Sequence, residues 1–495
     1  MQIPYILLQT VLVPIVSAPI LALLGRRMGK RVGWVACGIL TYTNILLAVV
    51  GFRLWRSGNV VYEEYSWSAA LFNLKFGFLA DSLSLPVAFI MNLVCAACAM
   101  YSISYMEHRI EQLYGKGKNE MHSIYYSIYL LFAVGLVGVS LSTDLIELYL
   151  FVELALIPSY LMIDLFGYID RHRIAIMYFI WNHAGAALFL IGIVIASLGN
   201  GGHFDIRSLS TLSSNPISFL VCLLILVGWL IKMATFGFHV WLPYAHGEHP
   251  TSIAAIIATI VGLGNYVIVR LLVKQLPMVF QLFSLPLTVI ALITMIYGAF
   301  LTIAQHDIKR LYACSTISQT AYSLLGIASL TAMGVAGGIF YFLSHIIGKC
   351  ILFSVAGIIL SQTGLRDMRM MGGLARKMPI TATLCVLGSM ILSAIPPLSG
   401  FQAEWIMFTG IFQQGIQGSS FNLAVAVVGI FATFLTTVYT FWPVMKVFFG
   451  PLPETLKEME EAPFSMTVPL LILALTSFLF GVYPEFMMKF LSSTV

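Results

Sequence analysis

Charge is the scarce component of this sequence. Asp, Glu, Lys and Arg make up 9% of its 495 residues, against about 25% in ordinary soluble domains. So few charges cannot coat a globule of this length, which excludes a water-soluble fold. Basic clusters are missing as well. The net charge is only +5, and its Lys and Arg are scattered through short loops, which excludes a nucleic-acid-binding face. The seven cysteines fall within or beside apolar runs and read as small core residues, so no metal, haem or iron–sulfur ligand set is expected from them. A cleavable leader is not expected either: the run from Ile3 to Leu24 is followed by Arg26 and Arg27 rather than by a small-residue cleavage site.

What abounds is apolar length. The chain is 59% hydrophobic with a mean hydropathy of +0.93. About 20 apolar residues cross a bilayer as a helix, and fourteen such runs are present, from 3–25 to 465–490. The seventh (216–240) and the twelfth (379–414) are interrupted. The expected fold is therefore an all-α polytopic membrane protein of about fourteen transmembrane helices. The segment between 55 and 80 reads as a partly amphipathic stretch lying in the membrane interface. Loops after odd-numbered runs carry seventeen basic residues, including Arg109, Lys309 and Arg366, whereas loops after even-numbered runs carry six, including Arg270. Basic loops stay in the cytoplasm, which puts both termini outside a plasma membrane.

Against that background a few ionisable side chains stand out. Lys232 lies inside the seventh run, just before Phe236–Gly237–Phe238–His239–Val240–Trp241–Leu242–Pro243. An ammonium at bilayer depth costs about 2.5–3.5 kcal/mol on insertion scales, so such residues mark functional sites. Pro243, Gly237 and Gly247 would break the helix beside it, and broken helices at this depth line polar cavities. Glu153 has apolar neighbours on both sides. Glu404 follows Pro396, Pro397 and Gly400, a second break. His183 sits beside Asn182 in the sixth run, and His345 and Lys349, four apart, share one helix face. His239 and His246 lie at or beyond the end of the seventh run. Glu147, near a helix start, is accounted for by the helix dipole. His246 and Glu248 are too few to hold a metal. The two charged, broken runs lie five runs apart, an odd number, so a repeat of that length must be inverted across the membrane.

These residues carry a resemblance. Glu153-Leu-Ala-Leu-Ile-Pro158, Lys232 with His239-Val-Trp-Leu-Pro243, Ala245-His-Gly-Glu-His-Pro-Thr-Ser252, His306-Asp-Ile-Lys-Arg-Leu311 with Tyr312-Ala-Cys-Ser-Thr-Ile-Ser318, and Pro397-Leu-Ser-Gly-Phe-Gln-Ala-Glu404 resemble the antiporter-like, ion-pumping membrane subunits of complex I, most closely the M-type. The resemblance implies helices 1–3 over 1–110, a first repeat over 120–275, an inverted second repeat over 280–450 and a last helix over 451–495. It implies that Glu153 modulates the charge state of Lys232, that Lys232 accepts and releases the proton in an ion pair with Glu153, that Lys349 with His345 forms a central carrier, and that Glu404 is the terminal one, with His183 and His239 as further relay candidates. Iron–sulfur clusters and flavin are expected only in partner subunits, alongside neighbouring antiporter-like subunits and membrane lipid. Two positions depart from the family pattern: Gly262 stands where a lysine is common in bacterial M-type chains, and Gln319 where histidine is frequent. These departures and the short length point to an archaeal deazaflavin-dependent, methanophenazine-reducing or hydrogenase-type member. The rival functions are a cation/proton antiporter and a scaffold that has lost transport.

Overall fold

The computed structural model describes residues 3–68, 74–417 and 420–492. Helices dominate it: α1 (Ile6–Leu24), α2 (Val32–Ser57), α3 (Ser84–Tyr114), α4 (Asn119–Leu141), α5 (Leu145–Phe166), α6 (Arg171–Gly199), α7 (Ile217–Lys232), α8 (Trp241–Glu248), α9 (Thr251–Val267), α10 (Pro277–Ile303), α11 (Ile308–Ala328), α12 (Ala332–Thr363), α13 (Pro379–Leu392), α14 (Ser399–Gln417), α15 (Ser420–Pro443), α16 (Phe464–Val482) and α17 (Glu485–Leu491). Single π-helical stretches, Ile268–Val273 and Val444–Phe448, extend α9 and α15. Among the described residues eleven helices are long and apolar enough to cross a membrane. A polytopic membrane protein follows from that count and from apolar residues such as Leu24, Ile180 and Phe431 standing exposed on the outer face of the bundle. α9 and α12 are buried almost throughout and form the axis of the molecule.

Within the stretch expected to lie in the membrane interface, the chain forms an antiparallel hairpin, β1 (Val61–Ser68) and β2 (Leu74–Ala80). β-branched and aromatic residues at Val61, Tyr62 and Tyr65 favour strand over helix. The hairpin ties the bundle at one end. Glu63 accepts hydrogen bonds from the backbone N–H groups of Leu7 (3.1 Å) and Leu8 (2.9 Å) in the first turn of α1, donors a helix start cannot satisfy internally. Glu147, buried in the first turn of α5, accepts from the N–H groups of Gly77 and Thr143, each at 3.3 Å. The helix dipole is therefore only part of its environment; Asp144 is the N-cap.

The same stitch recurs at two places. Asp144 caps α5 by accepting from the N–H groups of Ile146 and Glu147, and it pairs through a backbone bridge with Asp205, which caps the short helix after α6. Asp307 caps α11 by accepting from Lys309 and Arg310, and it bridges to Asp367, which caps the short helix after α12. In the second stitch the Arg369 side chain, then its backbone N–H, hold the exposed Asp367 carboxyl down at about 2.

Three residues read as loop cations are buried. Arg270 pairs with Asp81 at 2.5 Å. Arg109 donates to the carbonyls of Phe166 (3.2 Å) and Gly167 at the end of α5. The Lys309 ammonium donates to the carbonyls of Gly247 (3.0 Å) and His249 (2.7 Å) at the end of α8. Cations belong at helix C-termini, where carbonyls are unpaired and the dipole is negative. Tyr168 lies beneath both Arg109 and Lys309, whose charges stand 4.1 Å and 4.2 Å from its ring centre.

Candidate functional site

α7 has 16 residues, about 24 Å at 1.5 Å per residue, short of the roughly 30 Å hydrocarbon depth. Lys232 is its last residue. The chain then turns through Ala234, at φ 52°, and restarts as α8. The freed carbonyls at the break find partners: Trp241 Nε1 donates to the Ile231 carbonyl (3.2 Å), and Thr235 Oγ1 to the Leu230 carbonyl (3.1 Å). α13 ends in the same way at Leu392, and Ala394 adopts φ 51° before α14 begins. Both expected helix breaks are therefore present.

Lys232 is 2% exposed. Its ammonium donates to the Asn182 carbonyl of α6 at 3.2 Å. Gly185 and Gly228 allow this approach, since a Cβ on either would stand 2.6 Å from the other's carbonyl oxygen. A small cavity lined by Tyr178, Trp229 and Leu263 adjoins the ammonium. The expected ion pair with Glu153 is not formed among the described residues. Glu153 Oε2 instead meets His183 Nδ1 at 3.4 Å on the outer flank of α5 and α6, with the histidine side chain 48% exposed. Asn182 meets Lys232 through its backbone carbonyl, its own amide donating back to the Tyr178 carbonyl (3.0 Å), while the next side chain on α6, His183, faces Glu153. The acid and the amine are linked through one residue of backbone rather than face to face.

His246 is 0% exposed, with neither ring nitrogen bonded within the protein. Its ring lies 5.2 Å from that of Phe353, one turn beyond Lys349 on α12, and it stands within electrostatic range of Lys349, Lys309, His345 and His249. The Lys349 ammonium donates to the Tyr312 carbonyl (2.9 Å) and to Ser315 Oγ on α11. His345 is buried one turn away, its Nε2 without a protein partner. His239 is set apart, at the periphery of the break, 3.2 Å from the Tyr297 hydroxyl of α10.

Beyond Lys349 the structure surrounds Gln319 and Glu404 with polar groups, Tyr322, Tyr341, Thr433, Thr436 and Tyr439, that the sequence did not single out. Gln319 lies one turn after Ser315 on α11. It accepts from the Tyr341 hydroxyl (2.8 Å) and donates to the Tyr439 hydroxyl (2.6 Å) and to Thr436 Oγ1 (3.2 Å). Tyr322 reaches the same Thr436 at 3.0 Å. One turn back from Thr436, Thr433 donates to Glu404 Oε1 at 2.5 Å, while Glu404 Oε2 is buried without a partner. The signal was present: Gln319 and Tyr322, like Thr433, Thr436 and Tyr439, are polar groups recurring every three or four residues in apolar helices. The departure at Gly262 also has a cause. A Cβ there would overlap the Phe342 ring of α12, so the position that holds lysine elsewhere is filled from across the interface. Asn265, one turn on, is buried with both side-chain polar atoms unbonded to protein. Among the described residues no group of three or more His, Cys, Asp and Glu side chains converges as a metal would require.

Comparisons with known proteins identify relatives in sequence and in fold. Residues 142–436 match the family described as NADH:quinone oxidoreductase/Mrp antiporter, transmembrane, and residues 67–114 the N-terminus of complex I chain 5. Chain 4-2 of the NAD(P)H-quinone oxidoreductase of Synechocystis is 28% identical over 444 residues, covering 88% of this chain and 77% of that one. Subunit M of the F(420)H(2) dehydrogenase of Methanosarcina mazei is 28% identical over 452 residues, covering 89% and 87%. In fold, the chain superposes on a chain of the Mrp complex of Dietzia with a TM-score of 0.87 at 21% identity, covering 99% of this chain and 97% of that one. On a chain of respiratory complex I of Thermus thermophilus the score is 0.84 at 22% identity, covering 98% and 97%.

Proposed function

This chain belongs to the NADH:quinone oxidoreductase/Mrp antiporter membrane family, and on that premise we propose that it is the proton-translocating, M-type membrane subunit of a redox-driven complex I-like assembly. The observation that carries the reading is Lys232: a buried ammonium at the end of a half-length helix, held by one backbone carbonyl. Electron transfer belongs to partner subunits carrying iron–sulfur clusters and flavin, and this chain moves the proton. Relatives named as NAD(P)H-quinone oxidoreductase and F(420)H(2) dehydrogenase subunits stand at the same 28% identity, so the donor is set by those partners.

The proposed architecture is fourteen spans, with α4–α9 and α10–α15 as two inverted repeats and the basic loops on the cytoplasmic face of the plasma membrane. The matched Asp144–Asp205 and Asp307–Asp367 stitches support it, as do the matched φ angles at Ala234 and Ala394. His183 lies 22 residues before Asp205, and His345 lies 22 before Asp367, so the two histidines are repeat equivalents.

In this reading the proton passes from Lys232 past His246 to Lys349 and His345, then along the hydroxyls around Gln319 to Thr433 and Glu404. Glu153, with His183, acts from the flank. An opposite charge brought within about 4–6 Å stabilises an ammonium, so movement of Glu153 under the field of a neighbouring subunit changes the occupancy of Lys232. Moving a charge against 100 mV takes about 2.3 kcal/mol, within reach of one such displacement. His239, beside Tyr297, serves the peripheral end of the break. The rival reading, a subunit of a cation/proton antiporter, shares the fold, and co-purification with iron–sulfur subunits separates the two. Lys232→Ala should leave electron transfer to an artificial acceptor intact and reduce proton uptake by vesicles about a hundredfold. Undiminished pumping in that variant removes Lys232 from the mechanism.

A further inference from the structure

At the end of the bundle that carries the basic loops, the α1–α2 turn packs on the N-terminal end of α4. Together with the end of α3 they enclose a cavity of about 440 Å³, within the roughly 300–1,000 Å³ range of small-molecule sites. Arg27, Arg31 and Lys118 line it with no ion pair of their own among the described residues. Lys30 is engaged with Glu107 at 2.9 Å. Glu111 is the one further acid in the lining, so two positive charges are left in excess. The first turn of the 23-residue α4 has no side-chain cap and carries the exposed Glu120; the N–H groups of Asn119 and Met121 bond to the Gly117 and Lys118 carbonyls, so the helix start adds its dipole to the basic lining. Independently, His122 lines the same cavity. It is 7% exposed, and its Nδ1 is buried without a hydrogen-bond partner. Leu24, Met28 and Trp34 border the turn and stand exposed.

We infer that this cavity binds the phosphate of one anionic phospholipid, with Arg27, Arg31 and Lys118 around it and the His122 imidazole at its floor. Basic pockets between transmembrane helices on the cytoplasmic side suit such headgroups. The bordering apolar side chains supply the surface along which the acyl chains lie, which favours a lipid over a soluble phosphate or an acidic segment of a partner protein. The inference shares with the functional proposal only the placement of this end at the cytoplasmic leaflet, and its readout is lipid retention rather than pumping.

The test uses the complex purified from membranes, washed with detergent and supplied with equal phosphatidylglycerol and phosphatidylcholine, with retained lipid read by native mass spectrometry. Phosphatidylglycerol should be retained preferentially. Each cation near a surface contributes about fivefold to such binding, so Arg27→Ala/Arg31→Ala should weaken retention about twenty-fivefold, and Lys118→Ala, in an exposed loop, about fivefold. Glu111→Gln should strengthen it, a change of opposite sign that misfolding cannot produce. Equal retention of the two lipids, or retention unchanged in both the double variant and Lys118→Ala, overturns the assignment. Titration with inorganic phosphate that binds while phosphatidylglycerol is not retained also overturns it, since the site would then take a free anion. Cross-linking that finds a partner polypeptide in the cavity overturns it in favour of a protein contact.

Discussion

At the scale of single residues, the chain places its ionisable groups where the sequence suggested but pairs them differently. Lys232, Lys349 and Glu404 could be picked out because a charge inside an apolar run is costly at bilayer depth and so stands out from its neighbours. Their partners could not, because partners are set by helix rotation. The backbone at Asn182 and the side chain at His183 divide Lys232 and Glu153 between them, and no spacing along the chain reveals that. Gln319 is the clearest instance. Read alone it looked like a lost proton carrier; in the fold it is a hub for the hydroxyls of Tyr341, Tyr439 and Thr436. Gln319→Leu would take the acceptor from the Tyr341 hydroxyl, at about 1–3 kcal/mol for a buried group left unpaired, while Tyr439 and Thr436 would keep each other and Tyr322. Both thermal stability and proton translocation should fall in that variant, whereas Gln319→His, which can also donate and accept, should retain pumping. Equal pumping in the two would show that the hydroxyl cluster is packing and not a path.

At the scale of elements, the two broken helices were legible from Pro, Gly and the charges beside them, and the long apolar helices from their length. The hairpin was not, because a search for 20-residue runs passes over two strands of eight and seven residues. Lys309 was hidden for a related reason. In Asp307–Ile308–Lys309–Arg310 it reads as one of several loop cations, and only the return of α8 to that spot turns it into a buried cap. Lys309→Met should leave the Gly247 and His249 carbonyls unpaired. The expected cost is about 2–3 kcal/mol, read as a lowered melting temperature of the complex and faster hydrogen exchange over residues 245–250. Unaltered exchange there would mean that α8 is held by its packing against α6 and α11 alone.

At the scale of the molecule, the twin Asp stitches carry a quantitative expectation. Asp144 and Asp307 each accept two backbone N–H groups at a helix start, a contribution of about 0.5–2 kcal/mol. Asp144→Ala and Asp307→Ala should therefore lower stability by similar amounts in chemical denaturation, and their effects should add, since distant sites are independent. A large loss at one and none at the other would argue against structural equivalence of the two halves. Where the stitches lie has its own meaning. Asp144 stands at one end of α5, while the other end of α5 meets Tyr168 and the Lys309 that Asp307 caps, about 33 Å away for 22 residues. One half is sewn shut at its top and the other at its bottom, like a canal lock whose two gates face opposite reaches. In the proposed arrangement of two inverted repeats, seams at opposite ends leave each half free to open toward a different side of the membrane, and the direction of flow is then set by the charges.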